Sequence, residues 1–180
     1  MLQYGKMVEI GRVNFSKPVV VIYNPNSGKK RDVRLEVIKL LNERQIGYEL
    51  YETRGYLDAF NFTKDLDYSK FSAIVTVGGD GTIHEVVNGM MFREDNRRLP
   101  IALIPNGSGN DTCSSLGIKT IEQALSFLNK GDILKIDVNR VLVDSETISG
   151  IPADANKHER LRYSIINAGC GFTARVVHKV

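Results

Sequence analysis

Short apolar runs alternate along this chain with longer stretches whose apolar residues recur at helical spacing. Pro18-Val19-Val20-Val21-Ile22-Tyr23 is almost wholly β-branched and uninterrupted, as a strand buried on both faces requires. A helix over about 30–45 is expected next, with Val33, Val37, Leu40 and Leu41 on one face and Gly47 as its stop. Tyr48 to Thr53 reads as a second strand, 57–66 as a helix and 72–77 as a third strand. A helix over about 82–91, a strand at 100–104 and a helix at 120–129 ended by Gly131 follow. Ile133 to Val143 reads as one or two further strands. This order predicts an α/β fold, a Rossmann-like parallel sheet in three layers with helices on both faces. Two stretches fall outside the pattern. Residues 1–17 form a polar lead-in, and Asp144 to Arg162, with Gly150 and Pro152, reads as a loop or hairpin excursion. Tyr163 then restarts a strand that ends in glycines at Gly169 and Gly171.

Composition narrows the class. With 180 residues, 42% hydrophobic and 25% charged, the chain can bury one substantial core, or one domain and part of another. A net charge of +3 is far from a nucleic-acid signature, so no nucleic-acid partner is expected. Cys113 and Cys170 are too few for a disulfide framework and read as core thiols. No apolar stretch approaches a membrane span and the N-terminus lacks a signal-peptide core, so a cytoplasmic protein is expected, with any membrane contact peripheral.

The chemistry gathers where strands end. In Val75-Thr76-Val77-Gly78-Gly79-Asp80-Gly81-Thr82 the glycines let the backbone turn sharply and approach a ligand closely. The helix that begins there would offer its amides to an anion. Asp80 is the odd member, because a carboxylate among phosphate-seeking amides is repelled unless a cation stands between, which suggests a nucleotide with magnesium. A second loop, Asn24-Pro25-Asn26-Ser27-Gly28-Lys29-Lys30-Arg31, places three cations in a first helical turn, against the helix dipole unless a polyanion docks there. A third, Pro105-Asn106-Gly107-Ser108-Gly109-Asn110-Asp111, carries glycines and small polar side chains, with Asn110 or Asp111 as an N-cap. Alone, each also fits an ordinary strand-to-helix turn. Three of one chemistry at the carboxyl edge of a parallel sheet point to a single site.

These motifs, with Glu85 and Asn88-Gly89, resemble in order and spacing the catalytic domain of the diacylglycerol kinase and sphingosine kinase superfamily of lipid kinases. The resemblance runs from about Pro18 to Val143 and more weakly from Tyr163 to Val177. A related glycine-aspartate loop occurs in NAD kinases and phosphofructokinases. The resemblance implies ATP and Mg2+ as cofactors and transfer of the γ-phosphate to a hydroxyl of a lipid such as diacylglycerol or a sphingoid base. The lipid would be presented at a membrane surface, and a homodimer is compatible with it. Asn24, Ser27, Gly28, Gly78, Gly79, Gly81 and Thr82 would hold the phosphates, and Gly107, Ser108 and Asn110 would contact the nucleotide from the third loop. Thr53 would line the adenine pocket, and Glu85 would reach the nucleotide one helical turn beyond Thr82. Asp80 would engage magnesium or act as the base that takes the lipid's proton. Sphingosine kinases carry an acid shortly after the pair that Gly171-Phe172 resembles. Here Arg175 stands in that place, which favours a neutral or anionic lipid. The family continues into a second, β-rich domain, so 18–140 is expected to be the nucleotide-binding domain and 141–180 the incomplete start of a closing domain. The chain would then lack a complete active site. The other readings are an NAD kinase-like nucleotide kinase, which would bind NAD as a tetramer, and a non-catalytic nucleotide-binding module.

Several residues near these motifs read more plainly. His84 has no Cys or second His nearby and is not expected to ligate metal. Arg93 to Arg98 reads as a solvated connection, its functional alternative being contact with phospholipid headgroups. Met90, Met91 and Phe92 read as core, or else as a lipid-facing lip.

Overall fold

The computed structural model describes residues 8–28, 32–142 and 161–165. The chain divides after Ile136 into two compact units.

The first unit is built on a parallel sheet of β2 (Val19–Tyr23), β3 (Tyr48–Glu52), β4 (Ala73–Gly78) and β5 (Ile101–Pro105), in the order β3-β2-β4-β5. Every residue of β2 and β4 is buried, as their unbroken apolar runs require of central strands. Register is simple throughout, with Val21 level with both Leu50 and Val75, and Val77 level with Ile104. Alternate residues of the central strands feed two cores. On one face Val19, Val21, Val75 and Val77 pack with Val33, with Val37 and Leu41 of α1 (Arg34–Glu43), and with Ala124 and Leu128 of α5 (Ile121–Lys130). On the other, Val20, Ile22 and Ile74 meet Ala59 of α2 (Asp58–Asp65) and Val86 and Met90 of α3 (Asp80–Met91). The three layers expected from the sequence are present. The chain runs from β2 outward to β3 and then crosses back past β2 to β4, so the crevice between the ends of β2 and β4 is the natural ligand site of such a sheet.

One strand was not expected from the sequence, and the C-terminal strands fall into separate sheets. Val8–Arg12, inside the polar lead-in, forms β1 and pairs antiparallel with β6 (Asp132–Lys135) across a bulge between Glu9 and Gly11. Arg12 Nε donates to Asp132 Oδ1 at 2.8 Å. So short a stretch, interrupted by a glycine, leaves too little alternation to mark a strand. The run from Ile133 splits into β6 and β7 (Asn139–Leu142), which belong to different sheets. In the second unit β7 pairs antiparallel with β8 (Leu161–Ser164), which begins two residues ahead of the expected Tyr163. Most of the Asp144 to Arg162 excursion lies outside the described residues, as do Lys29 to Arg31, Cys170, Gly171-Phe172 and Arg175.

The α2–α3 contact is unusually close. A Cβ on Gly89 would lie 2.4 Å from the Phe60 carbonyl oxygen and 2.9 Å from the Thr63 Cβ. Arg93, read from sequence as solvated, keeps only 10% of its side chain exposed. Its guanidinium donates to the carbonyls of Lys64 and Leu66 at 2.6 Å, lies 3.8 Å from the centroid of the Tyr68 ring and pairs with Asp95. It thus closes the C-terminus of α2, where a cation is favoured by the helix dipole. Met90 is core, and Phe92 meets the Phe60 ring edge-on. No helix among the described residues is long and apolar enough to cross a membrane.

Gly89→Ala is expected to destabilise the fold by about 1–3 kcal/mol, because a methyl there must displace backbone rather than a flexible side chain. A urea-unfolding midpoint unchanged from wild type would contradict this packing.

Candidate functional site

Loops after β2, β4 and β5 meet at one edge of the sheet, and glycines set how closely. Gly28 has φ +81°, and a Cβ there would lie 2.3 Å from the Asn106 carbonyl oxygen. A Cβ on Gly107 would lie 2.4 Å from the Gly79 Cα, and one on Gly78 would lie 2.7 Å from Thr82 side-chain atoms. Larger residues at these positions would wedge the loops apart. Hydrogen bonds then tie them. Asn24 Nδ2 donates to Thr82 Oγ1 at 2.9 Å, the Asn24 amide to the Val77 carbonyl at 3.0 Å, and the Asn106 amide to the Gly78 carbonyl at 2.9 Å. Ser27 folds back on its own loop, with amide and hydroxyl both donating to the Asn24 carbonyl.

The loops enclose an open cleft of about 330 Å³. Asn24, Asn26, Ser27 and Gly28 line it from the first loop, Gly79, Gly81, Thr82 and Glu85 from the start of α3, and Gly107 and Ser108 from the third loop. Gly55 and Ala59 close the remaining wall. Nine of the residues expected from the sequence are therefore brought together. Four are not in the lining: Thr53, Gly78, Asp80 and Asn110. Thr53 is buried and donates its amide to the Tyr23 carbonyl at 2.9 Å. Asn110, at φ +55°, turns its side chain onto Gly107, accepting that amide at 2.7 Å and donating to its carbonyl at 2.9 Å. Instead of capping its helix, it shapes the third loop.

The helix that follows, α4 (Asp111–Ser115), is capped from elsewhere. Asp80 Oδ1 accepts the Thr112 amide at 2.8 Å and Oδ2 the Asp111 amide at 3.1 Å. The carboxylate expected to need a cation accepts one backbone donor of α4 on each oxygen. Burial raises its pKa, and the hydrogen bonds from Thr112, Asp111 and Asn110 outweigh that, leaving it below the ordinary carboxylate range. Cys113 lies behind, its thiol pushed up to about 11 by burial and by Asp80. Glu85 does for α2 what Asp80 does for α4. Its Oε1 accepts the Leu57 amide at 3.0 Å and its Oε2 the Ala59 amide at 3.2 Å. Two other helix N-termini are thus closed by carboxylates carried on α3.

The N-terminus of α3 itself is different. Its N-cap is Gly79, and among the described residues no side chain accepts its first amides. The first amides of a helix have no intrahelical acceptor, and here they open on the cleft beside Ser27 and Thr82. The described lining offers an anion backbone amides and hydroxyls. That cradle fits a polyphosphate. Among the described residues no cluster of three or more acidic, His or Cys side chains forms a ready metal site. The carboxylates of Asp80 and Asp111 do converge on Gly109, lying 3.4 and 3.6 Å from the position of a Cβ there. One or two carboxylates completed by substrate phosphates is the donor set magnesium usually takes.

Sequence reasoning missed Asn26, Gly55, Ala59 and the linking role of Asn106. Asn26 and Asn106 stood in quoted motifs as unassigned positions. Gly55 and Ala59 carry no polar signal, and only the placement of α2 brings them to the cleft.

Asp80→Asn keeps the side-chain shape but sets an NH2 against a backbone amide, and should cost about 1–2 kcal/mol at neutral pH. Because the folded pKa is depressed, the clamp contributes fully above the unfolded value of about 3.9 and is lost as pH falls through the folded value. Urea midpoints of wild type and variant should stay apart from neutral pH to about pH 5 and converge in acid. A gap that persists at the lowest pH at which both fold would contradict the clamp.

The comparisons with known proteins agree on one family. A sequence model of the diacylglycerol kinase catalytic domain matches residues 18–141. Sphingosine kinase 1 of Arabidopsis thaliana is 40% identical over 116 residues, which are 61% of this chain and 23% of that protein. A diacylglycerol kinase of Staphylococcus carnosus is 33% identical over 124 residues, 67% of this chain and 40% of that protein. The crystal structure of a diacylglycerol kinase from Bacillus anthracis superposes with a TM-score of 0.55 at 27% identity, over 71% of this chain and 44% of the other. The chain thus spans less than half the length of each of these relatives.

Proposed function

The chain belongs to the diacylglycerol kinase catalytic-domain family, and from that premise we propose that its cleft binds the phosphates of ATP for transfer to a lipid hydroxyl. The observation that carries the reading is the uncapped N-terminus of α3 opening on the cleft. Gly79, Gly81 and Thr82 would present amides to the phosphates, with Ser27, Gly28 and Asn24 on one side and Gly107 and Ser108 on the other. Gly78, Asn110 and Thr53 would serve indirectly: Gly78 by admitting Thr82, Asn110 by shaping the third loop, and Thr53 by ending β3 behind the cleft. Residues 18–140 would be the nucleotide-binding domain, and 141–180 the start of a domain that closes over it.

Phosphoryl transfer is mostly positioning and charge neutralisation. The lipid oxygen forms a bond to the γ-phosphorus as the bond to the ADP oxygen breaks, and the hydroxyl proton must leave. Asp80 is the residue proposed to receive or orient that proton. Held below the ordinary carboxylate range, it stays ionised at neutral pH, and each oxygen keeps a lone pair beyond the amide it accepts. Magnesium, held by Asp80 and the phosphates, would neutralise charge on the transferring group. The lipid would be diacylglycerol or a sphingoid base, since relatives of both names are similar to this chain. Arg175, which in the sequence stands where sphingosine kinases carry an acid, would favour the former by repelling an amine. Membrane association would then be peripheral.

The full-length protein should transfer labelled phosphate from ATP to one of these lipids and not to NAD when the acceptors are compared side by side. Asp80→Ala, with its fold verified by circular dichroism, should lower kcat by about 100-fold or more. Unchanged turnover would remove Asp80 from the chemistry, and transfer to NAD alone would overturn the lipid assignment.

A further inference from the structure

Resting on the ATP reading, we propose that Glu85 is a positioning residue for nucleotide affinity, acting through the backbone of Leu57. Leu57 has φ 61° and ψ 7°, the left-handed conformation that non-glycine side chains rarely adopt. Strain of this kind persists only where the surroundings over-determine it, and it gathers at functional sites. Burial of the side chain does not account for it, since Leu57 is 39% exposed and its neighbour Tyr56 is 89% exposed.

Hydrogen bonds to the backbone account for it instead. Glu85 spans the distorted residue, taking the Leu57 amide on one oxygen and the Ala59 amide on the other. Asp58 braces the same turn from within, accepting the Arg54 amide at 2.7 Å and the Tyr51 hydroxyl at 2.9 Å. The turn so held carries Gly55 and Ala59, which form the cleft wall facing the other loops. Each oxygen of Glu85 thus accepts an amide of α2, which orients the carboxylate toward that turn. Helix α3 thus supplies the phosphate-binding amides with its first turn and fixes the far wall with its second.

The test is a cycle on Glu85 and Leu57 in the full-length protein, read as the Kd for ATP by calorimetry and as the ATP KM and kcat. Glu85→Ala should weaken ATP binding about tenfold, equivalent to about 1.4 kcal/mol, with kcat at saturating ATP kept within about threefold. Leu57→Gly removes the need for bracing, because glycine enters the left-handed region freely. In the Glu85→Ala background it should therefore restore ATP affinity to within about threefold of wild type. If Glu85→Ala does not fold, Glu85→Gln, which keeps one acceptor, is read in its place against the same Leu57→Gly background. A double variant as weak as the single one would overturn the proposal and return Glu85 to direct contact. Wild-type affinity in Glu85→Ala would overturn it equally. A wild-type protein that binds no ATP would overturn the kinase reading and this inference with it, whereas ATP binding without rescue sinks this inference alone.

Discussion

A helix N-terminus leaves backbone amides without acceptors, and around this cleft three helices begin within reach of one another. Two of them, α2 and α4, are closed by carboxylates that are not their own: Glu85 takes the amides at Leu57 and Ala59, and Asp80 those at Asp111 and Thr112. Both acids belong to α3, whose own first turn no side chain caps among the described residues. Of these three helices, α3 is thus the one whose first amides stay uncommitted. Had Glu85 and Asp80 been absent, three competing anion sites would face the same space, and the walls carrying Gly55 and Ser108 would lose their side-chain hydrogen bonds to α3. A cap is worth about 0.5–2 kcal/mol, small against the whole fold but enough to decide which of two loop positions is occupied.

Packing makes that arrangement rigid. Gly89 lets α2 approach α3 to backbone contact, and Arg93 closes the far end of α2, so this helix is held at both termini by the segment that begins at Asp80. On the other side Gly79 meets Gly107 and Gly28 meets Asn106, so the three loops touch backbone to backbone. Cradles of this kind bind anions by pre-aimed amides that need no reorganisation when the ligand arrives. The buried β2 and β4 deliver the first two loops at the point where the strand order reverses, which is why the cleft lies there and not elsewhere along the sheet edge.

Much of this was legible in the chain. The unbroken apolar runs of β2 and β4 could only be central strands, and the three glycine-bearing loops after β2, β4 and β5 had to share an edge once the sheet was parallel. What could not be read was where polar side chains turn. The hold of Asp80 on α4 left no local sign, because the amides it meets belong to residues more than thirty positions away. The hold of Glu85 on α2 was hidden in the same way. Arg93 looked solvated because a run of charges before a strand usually is, and its acceptors are carbonyls at the end of α2. Strand β1 escaped because its partner, β6, follows far along the chain and neither has a strong period. Long-range capping and long-range pairing leave no local pattern, and each of these differences is an instance of one or the other.

The central claim is that phosphate is received by the amides of α3 while those of α2 and α4 are already occupied. Backbone amide shifts followed by NMR during titration with magnesium and ATP test it most directly. The account predicts the largest changes at Gly79, Gly81 and Thr82, with Ser27, Gly28 and Gly107 following at the same midpoint, and small ones at Leu57, Ala59, Asp111 and Thr112. Changes concentrated at Asp111 and Thr112, or at Leu57 and Ala59, with Gly79 to Thr82 unmoved, would contradict it.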